Sequence, residues 1–304
     1  MYFVKRILLM FPLLLATSFL AFVLVRVVPG GPFDRERKPA SPEIERRLRA
    51  QYHLDEPILK QYARYLGGIL RGDLGPSLKY RNHSVSDIIA QGLPVSLTLG
   101  LAAFCFAIGL GVPLGCWTAL HKGGWEDYAG SFLALLVICI PGLVIGPLLV
   151  MSLAVKLRWF PVALWGSPWH AVLPTATLGL YFAGRVARLT KEGMLETLQA
   201  EFITTARAKG LSPMAVLVKH ALAIGLLPVL SYCGPLLADL LTGSFIVENL
   251  FQIPGIGVFM VNGSLNRDYT MVVGLVLLYS GLLLVLNLVV DLAYGWLDPR
   301  VRLH

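Results

Sequence analysis

Residues 7–28 form a run of mostly apolar side chains long enough to cross the hydrocarbon of a bilayer as one α-helix, which takes about 20 residues. Five more such runs follow, at about 95–120, 129–155, 171–189, 228–250 and 271–294. Lipid offers no water to the backbone amides, so runs of this length select helices. The expected fold is all-α, a polytopic membrane protein with six transmembrane helices. Composition agrees, since 14% of the residues are charged, against roughly 25% in soluble domains, and the mean hydropathy is +0.69. Six spans place both termini on one side.

The first run follows Lys5 and Arg6, as a signal sequence would. It is too long for the usual apolar core of one, lacks a small-residue cleavage site and ends in Pro-Gly-Gly-Pro, so it reads as an uncleaved first span. The formal charge is +8, yet the basic residues make no single patch for nucleic acid, and many sit in loops where membrane topology explains them. With the N-terminus cytoplasmic, Lys5, Arg6, Lys122, Arg185, Arg188, Lys191, Arg207, Lys209, Lys219, Arg300 and Arg302 lie inside. Only Lys156, Arg158 and Arg267 lie in the two later outer loops. That bias predicts cytoplasmic N- and C-termini. The four cysteines, Cys105, Cys116, Cys139 and Cys233, all fall in apolar runs, with neither disulfide nor metal-ligand spacing.

Residues 29–94 are the exception to the charge rule, with eleven basic and eight acidic residues on the expected outer side. They read as a helical cap. One helix starts at Ser41-Pro42-Glu43 and runs through Arg49, and a second covers 57–70 with Ile58, Tyr62, Tyr65, Leu66 and Ile69 at helical spacing. Gly72, Gly75 and Pro76 interrupt it, and a short helix at 86–91 leads into the second span. Pro141-Gly142, Gly146-Pro147 and Gly234-Pro235 break the third and fifth spans, which are expected to bend, either as kinked walls of a pathway or as ordinary packing. Asp239 is the acidic residue deep in a span, facing a polar pathway or pairing with a neighbouring span. The pathway candidates are Pro141, Asp239 and Ser244.

Between the fourth and fifth spans lies a polar island, residues 185–227. Leu195, Leu198, Phe202 and Ala206 share one face of a helix by spacing. Gly210 suits the left-handed position that ends a helix, and Ser212 with Pro213 suits the start of another, continuing from Met214 to Leu222. The pattern is helix, tight corner, short helix.

Thr204-Thr205-Ala206-Arg207-Ala208-Lys209-Gly210, followed by Leu211-Ser212-Pro213 and later His220-Ala221-Leu222-Ala223, resembles the coupling-loop motif of the membrane subunits of binding-protein-dependent ABC importers. Thr204 stands where that motif has Glu, and Ala223 where it has its final Pro. The variant resembles the oligopeptide and dipeptide permease branch. Arg26-Val27-Val28-Pro29-Gly30-Gly31-Pro32, the stretch from Glu248 to Gly257, Asn266-Arg267-Asp268-Tyr269 and Asp298-Pro299-Arg300-Val301-Arg302 extend the resemblance over nearly the whole chain. It is nearest to the B-type membrane subunit of an oligopeptide permease, and Gly72 to Tyr80 leans toward oligopeptide over dipeptide members.

The resemblance implies a type I ABC importer permease fold in a bacterial inner membrane, with an extracytoplasmic insertion after the first span. It also implies a non-catalytic subunit paired with a second, homologous permease subunit, two cytoplasmic ATP-binding subunits and an extracytoplasmic peptide-binding protein, in contact with lipid and peptide. The chain has no G-x-x-x-x-G-K-[ST] loop, so ATP and Mg belong on the partner ATPase subunits. Thr204 to Pro213 would be the ATPase-coupling residues, with Ala206, Gly210 and Leu211 the packed core of that contact and Arg207 and Lys209 at its rim. The cap and residues 252–269 would receive the binding protein. A secondary transporter would show more intramembrane titratable groups or inverted repeats, and an intramembrane enzyme a catalytic constellation; neither is evident.

Overall fold

The computed structural model describes residues 2–27, 50, 53–80, 82–242 and 244–297. The expected helix at 41–49, residues 28–32 of the first motif and the terminal motif at 298–302 lie outside the described residues. The described residues are helical apart from turns and one isolated antiparallel bridge, Pro76 with Ser84. The chain divides into two compact units, Met1–Ser96 with Pro254–Leu284, and Leu97–Ile253 with Val285–His304.

The first unit holds α1 (Tyr2–Val27), α2 (Ile58–Ile69), the start of α3 (Val85–Leu120), α11 (Ile256–Leu265) and the start of α12 (Tyr269–Leu297). Tyr62 of α2 packs edge-on against Phe19 and Phe22 of α1 and its hydroxyl lies 2.8 Å from Ser18 Oγ, as the helical spacing of its apolar face predicts. Ile58, placed on that same face by spacing, is instead exposed. The short helix expected at 86–91 is the first stretch of α3 itself. Ser84 and Asp87 cap it reciprocally: Ser84 Oγ accepts from the Asp87 amide at 3.0 Å, and the Asp87 carboxylate accepts from the Ser84 amide at 3.3 Å. Val85, Ile88 and Ile89 then pack with Ile256, Met271 and Leu275 into the core of this unit.

The second unit is organised around α6 (Pro168–Leu198). Three of its glycines let three neighbours approach backbone to backbone. A Cβ on Gly179 would sit 3.0 Å from the Ala103 carbonyl oxygen of α3, one on Gly184 2.7 Å from that of Ala134 in α4 (Trp125–Cys139), and one on Gly193 2.2 Å from that of Gly225 in α8 (Pro213–Gly225). On α3, Ala103, Ala107, Gly111 and Gly115 repeat every four residues, so one small stripe faces α6. A Cβ on Gly115 would lie 2.4 Å from the Ala187 carbonyl oxygen. Between apolar helices in lipid, association depends on such close packing rather than on the hydrophobic effect.

Arg6–Val27, Val85–Leu120, Leu227–Leu250 and Tyr269–Val290 are long and apolar enough to cross a membrane. The expected span at 129–155 is a broken pair, α4 and α5 (Gly142–Lys156), bent by 103°. Ile140 stands before Pro141, which disfavours helical backbone there, and it is extended (φ −84°, ψ 121°). The bend expected at Gly146-Pro147 is absent: α5 runs through Pro147 and ends in a π-helical stretch, Val150–Lys156. α9 (Leu227–Thr242) likewise continues through Pro235, and α10 (Ser244–Leu250) follows it. The expected span at 171–189 lies inside α6, which is long enough to cross but more polar than the other four because Arg185, Arg188, Lys191, Glu192 and Glu196 ride on it.

Candidate functional site: the helical corner and the polar face

The polar island is not a loop. Its first third continues α6 as far as Leu198, and from Pro213 onward it is α8, which meets α9 across the single turn residue Leu226. Only α7 (Glu201–Ala208) and its two turns join these arms. Ala200 is extended (φ −72°, ψ 148°), so the helical phase restarts after Gln199. Spacing had placed Phe202 and Ala206 on one face with Leu195 and Leu198. In the structure the buried residues of α7 are Ile203 and Ala206, while Phe202 points out. A periodicity carried across a break keeps Ala206 on that face but misplaces Phe202.

The end of α7 is a Schellman turn. The Gly210 amide donates to the Arg207 carbonyl at 2.9 Å, and the Leu211 amide reaches back to Ala206 at 3.4 Å. Gly210 holds φ +78° with nothing within 4 Å of where a Cβ would be, so backbone conformation rather than space calls for glycine. Ser212 Oγ then accepts from the Ala215 amide at 3.3 Å, with Pro213 as the first helical residue. The corner chemistry read from Gly210, Ser212 and Pro213 is therefore present residue for residue. α8 carries a π-helical stretch at Leu217–Ala221, which the sequence reading did not anticipate.

Beneath the corner, Ile203 and Ala206 pack with Met194, Val216, Ala221 and Ala119. Above it, Thr204, Thr205, Arg207, Ala208, Lys209, Gly210, Ser212 and Pro213 are exposed, together with Phe202 (40%), Leu211 (39%) and Met214 (66%). Ala206 therefore supports the corner from within, and the outward apolar surface is Phe202, Leu211 and Met214 beside two cations. Large apolar side chains rimmed by charge mark a surface that meets protein or membrane.

Lys191, read as a loop cation, instead bridges helices. It pairs with the Asp127 carboxylate at the start of α4 and donates to Ser131 Oγ at 2.8 Å. A second polar group lies on α6 and α9. Arg185 stands 5.0 Å over the Tyr181 ring, reaches the Tyr232 hydroxyl at 3.4 Å and interacts electrostatically with Asp239. Ser231, Pro235 and Asp239 are all exposed at four-residue spacing, on the side of α9 away from buried Leu236 and Leu240. Charges on span helices turn toward water or protein rather than lipid. Of the three expected pathway residues, Asp239 belongs to this face, Pro141 is exposed at the α4–α5 break, and the side chain of Ser244 lies outside the described residues. Arg185, Tyr181 and Tyr232 were missed as a group, although half-buried Tyr181 and exposed Arg185, Arg188 and Glu192 stand three and four residues apart along one stripe of α6.

In the first unit, residues of the cap and of the 252–269 stretch are tied together. Asp268 is fully buried and accepts from the hydroxyl of Ser77 and from the Lys79 and Met271 amides, at 3.3 and 3.2 Å for the amides. Thr270 Oγ1 donates to the Pro76 carbonyl at 2.5 Å, and Ser96 Oγ accepts from the Ile256 amide at 2.9 Å. Arg267, just before Asp268, is left-handed (φ 56°).

Comparison with known proteins adds three findings. Residues 111–303 match the family of binding-protein-dependent transport system inner membrane components. Over their full lengths the chain is similar to a dipeptide transport system permease protein of Bacillus subtilis, at 45% identity over 100% of this chain and 98% of that one. It is also similar to the oligopeptide transport system permease protein of Escherichia coli, at 42% identity over 99% of each. Among solved structures, a chain of the MetNI methionine ABC transporter in an inward-facing conformation shares the fold, with a TM-score of 0.58 at 16% identity over 69% of this chain and 96% of that one.

Proposed function

The chain belongs to the binding-protein-dependent transport system inner membrane components and is a multi-pass permease subunit of an ABC peptide importer, and from that premise we propose how its parts share the work. The observation that carries the peptide reading is full-length similarity, at 41–45% identity, to oligopeptide and dipeptide permease proteins. The termini lie in the cytoplasm, and the chain forms half of the pathway opposite a homologous second subunit. Two ATP-binding subunits hold ATP and Mg on the cytoplasmic side, and a peptide-binding protein docks outside on the exposed residues, Lys79 among them, of the loops that buried Ser77 and Asp268 tie together.

The corner is the transmission contact. Phe202, Leu211 and Met214 enter a groove on an ATP-binding subunit, with Arg207 and Lys209 at the rim. α6 and α8 meet backbone to backbone at Gly193 and Gly225, so a push on α7 moves both arms as one body. α6 carries that movement to Arg185, and α9 to Asp239. These two groups, with Tyr181 and Tyr232, line a polar path with few fixed charges, suited to peptides of varied side chains.

Reconstitution tests this reading. Proteoliposomes holding the chain with its partner subunits should take up peptide only with internal ATP and the external binding protein. Uptake driven by a proton gradient without ATP would instead mean a secondary transporter. Two peptide readings have support: the stretch Gly72 to Tyr80 resembles oligopeptide members, while a dipeptide permease protein is 45% identical. We favour oligopeptides, for which tri- and tetrapeptides should compete for uptake better than dipeptides.

A further inference from the structure

Near the end of α1, within the first unit, lies a cavity of about 510 Å³ whose polar wall is mostly cationic. Arg26, Arg64 and Arg71 line it, and Asp73 is the acidic residue among its described lining. Arg64 is already answered by Glu56 at 3.1 Å. Arg26 is not. Its guanidinium is part-buried, lies 3.4 Å over the Phe22 ring, and donates to Gln61 Oε1 and the Phe22 carbonyl at 3.1 Å each. None of these partners carries a negative charge. In the same wall the Tyr65 hydroxyl is buried and makes no hydrogen bond among the described residues. A buried donor without an acceptor is costly, and a part-buried cation with only neutral partners retains most of its attraction for an anion.

The helix beside this cavity indicates what delivers the anion. α2 turns Tyr62 and Tyr65 inward, yet Ile58, Leu59 (71%) and, just past its end, Leu70 (89%) are exposed beside Lys60, Arg64 and Arg71. Exposed leucines alternating with cations on a short amphipathic helix fit the boundary between headgroups and acyl chains. The cavity is in the size range of small-molecule sites and larger than a bare phosphate needs. We propose that it holds the phosphate of an anionic phospholipid headgroup, with Arg26, Arg71 and the Tyr65 hydroxyl as its donors and the exposed face of α2 along the acyl chains. The proposal does not depend on what the transporter carries.

The test uses the full chain purified with its partner subunits, in nanodiscs of phosphatidylcholine with or without phosphatidylglycerol. Phosphatidylglycerol should raise the melting temperature by a few degrees, and native mass spectrometry should show it retained. Arg26→Gln, Arg71→Gln and Tyr65→Phe should each retain it less, roughly tenfold less for the arginine variants, while Arg158→Gln should behave as wild type. Arg71 is exposed, so its variant remains informative if loss of Arg26 harms folding. Unchanged retention in both arginine variants would overturn the site. An equal thermal shift from millimolar inorganic phosphate in pure phosphatidylcholine would overturn the lipid as the source of the anion.

Discussion

The corner of the second unit and the Asp268 surface of the first are held by opposite means. The corner at α7 rests on apolar side chains and on glycines packed against backbone, with Gly193 and Gly225 in direct approach. The surface around Asp268 rests on a buried carboxylate, two hydroxyls and backbone amides. Close packing resists deformation and passes on a displacement. Hydrogen bonds to one carboxylate can be exchanged for others when a partner docks. A lever and a latch differ in this way, and the difference fits the two roles proposed above, transmission at the corner and response to a binding protein at the Asp268 surface.

Substitutions can break that contrast, and the largest effect should come at the lever. Gly193→Val forces atoms onto the Gly225 carbonyl, where backbone rather than a flexible side chain must yield, so a loss beyond the usual overpacking cost of about 1–3 kcal/mol is expected. The assembled transporter should be recovered poorly and unfold at lower temperature. Asp268→Ala leaves several buried donors without an acceptor, at about 1–3 kcal/mol for such a group. Thermal stability should fall, and stimulation of ATPase activity by the binding protein should be lost while the ATP-binding subunits still co-purify.

Gly210→Val meets no steric obstacle but must hold a left-handed backbone, at about 1–2 kcal/mol. Expression should stay normal and transport should drop; wild-type transport at normal expression would remove the turn from the mechanism. Met214→Ala leaves the fold unchanged and should weaken association with the ATP-binding subunits by more than about 1 kcal/mol, read by titrating those subunits onto the membrane complex. Smallest is Ser212→Ala, which deletes one cap worth about 1 kcal/mol and should lower the melting temperature slightly with little change in uptake.

Much of this was legible in the chain because the signals are local. Gly210, Ser212 and Pro213 define a turn and a cap within four residues, and the structure places them in those roles. The apolar runs led to helices for the same reason. What escaped depends on distant partners or on phase. Phe202 was placed on one face with Leu195, Leu198 and Ala206 because helical spacing was carried through Ala200, where the backbone is extended. Ala206 was assigned to an outer contact, yet its neighbours Met194 and Val216 come from both arms. Lys191 and Arg185 were counted as loop charges because nothing local shows that α6 continues to Leu198. Pro141 broke its span, with Ile140 before it extended, whereas Pro147 lies inside α5 without breaking it. Asp268 shows its value only when Ser77 arrives from nearly two hundred residues away.

The claim that the corner receives force from the ATP-binding subunits is tested most directly by a photo-crosslinking residue at position 214 in the assembled transporter. The account predicts a product with an ATP-binding subunit, formed with an efficiency that changes between ATP-bound and ATP-free states, and loss of peptide uptake once it forms. A product with the binding protein, or an ATP-binding-subunit product that leaves uptake intact, would contradict it.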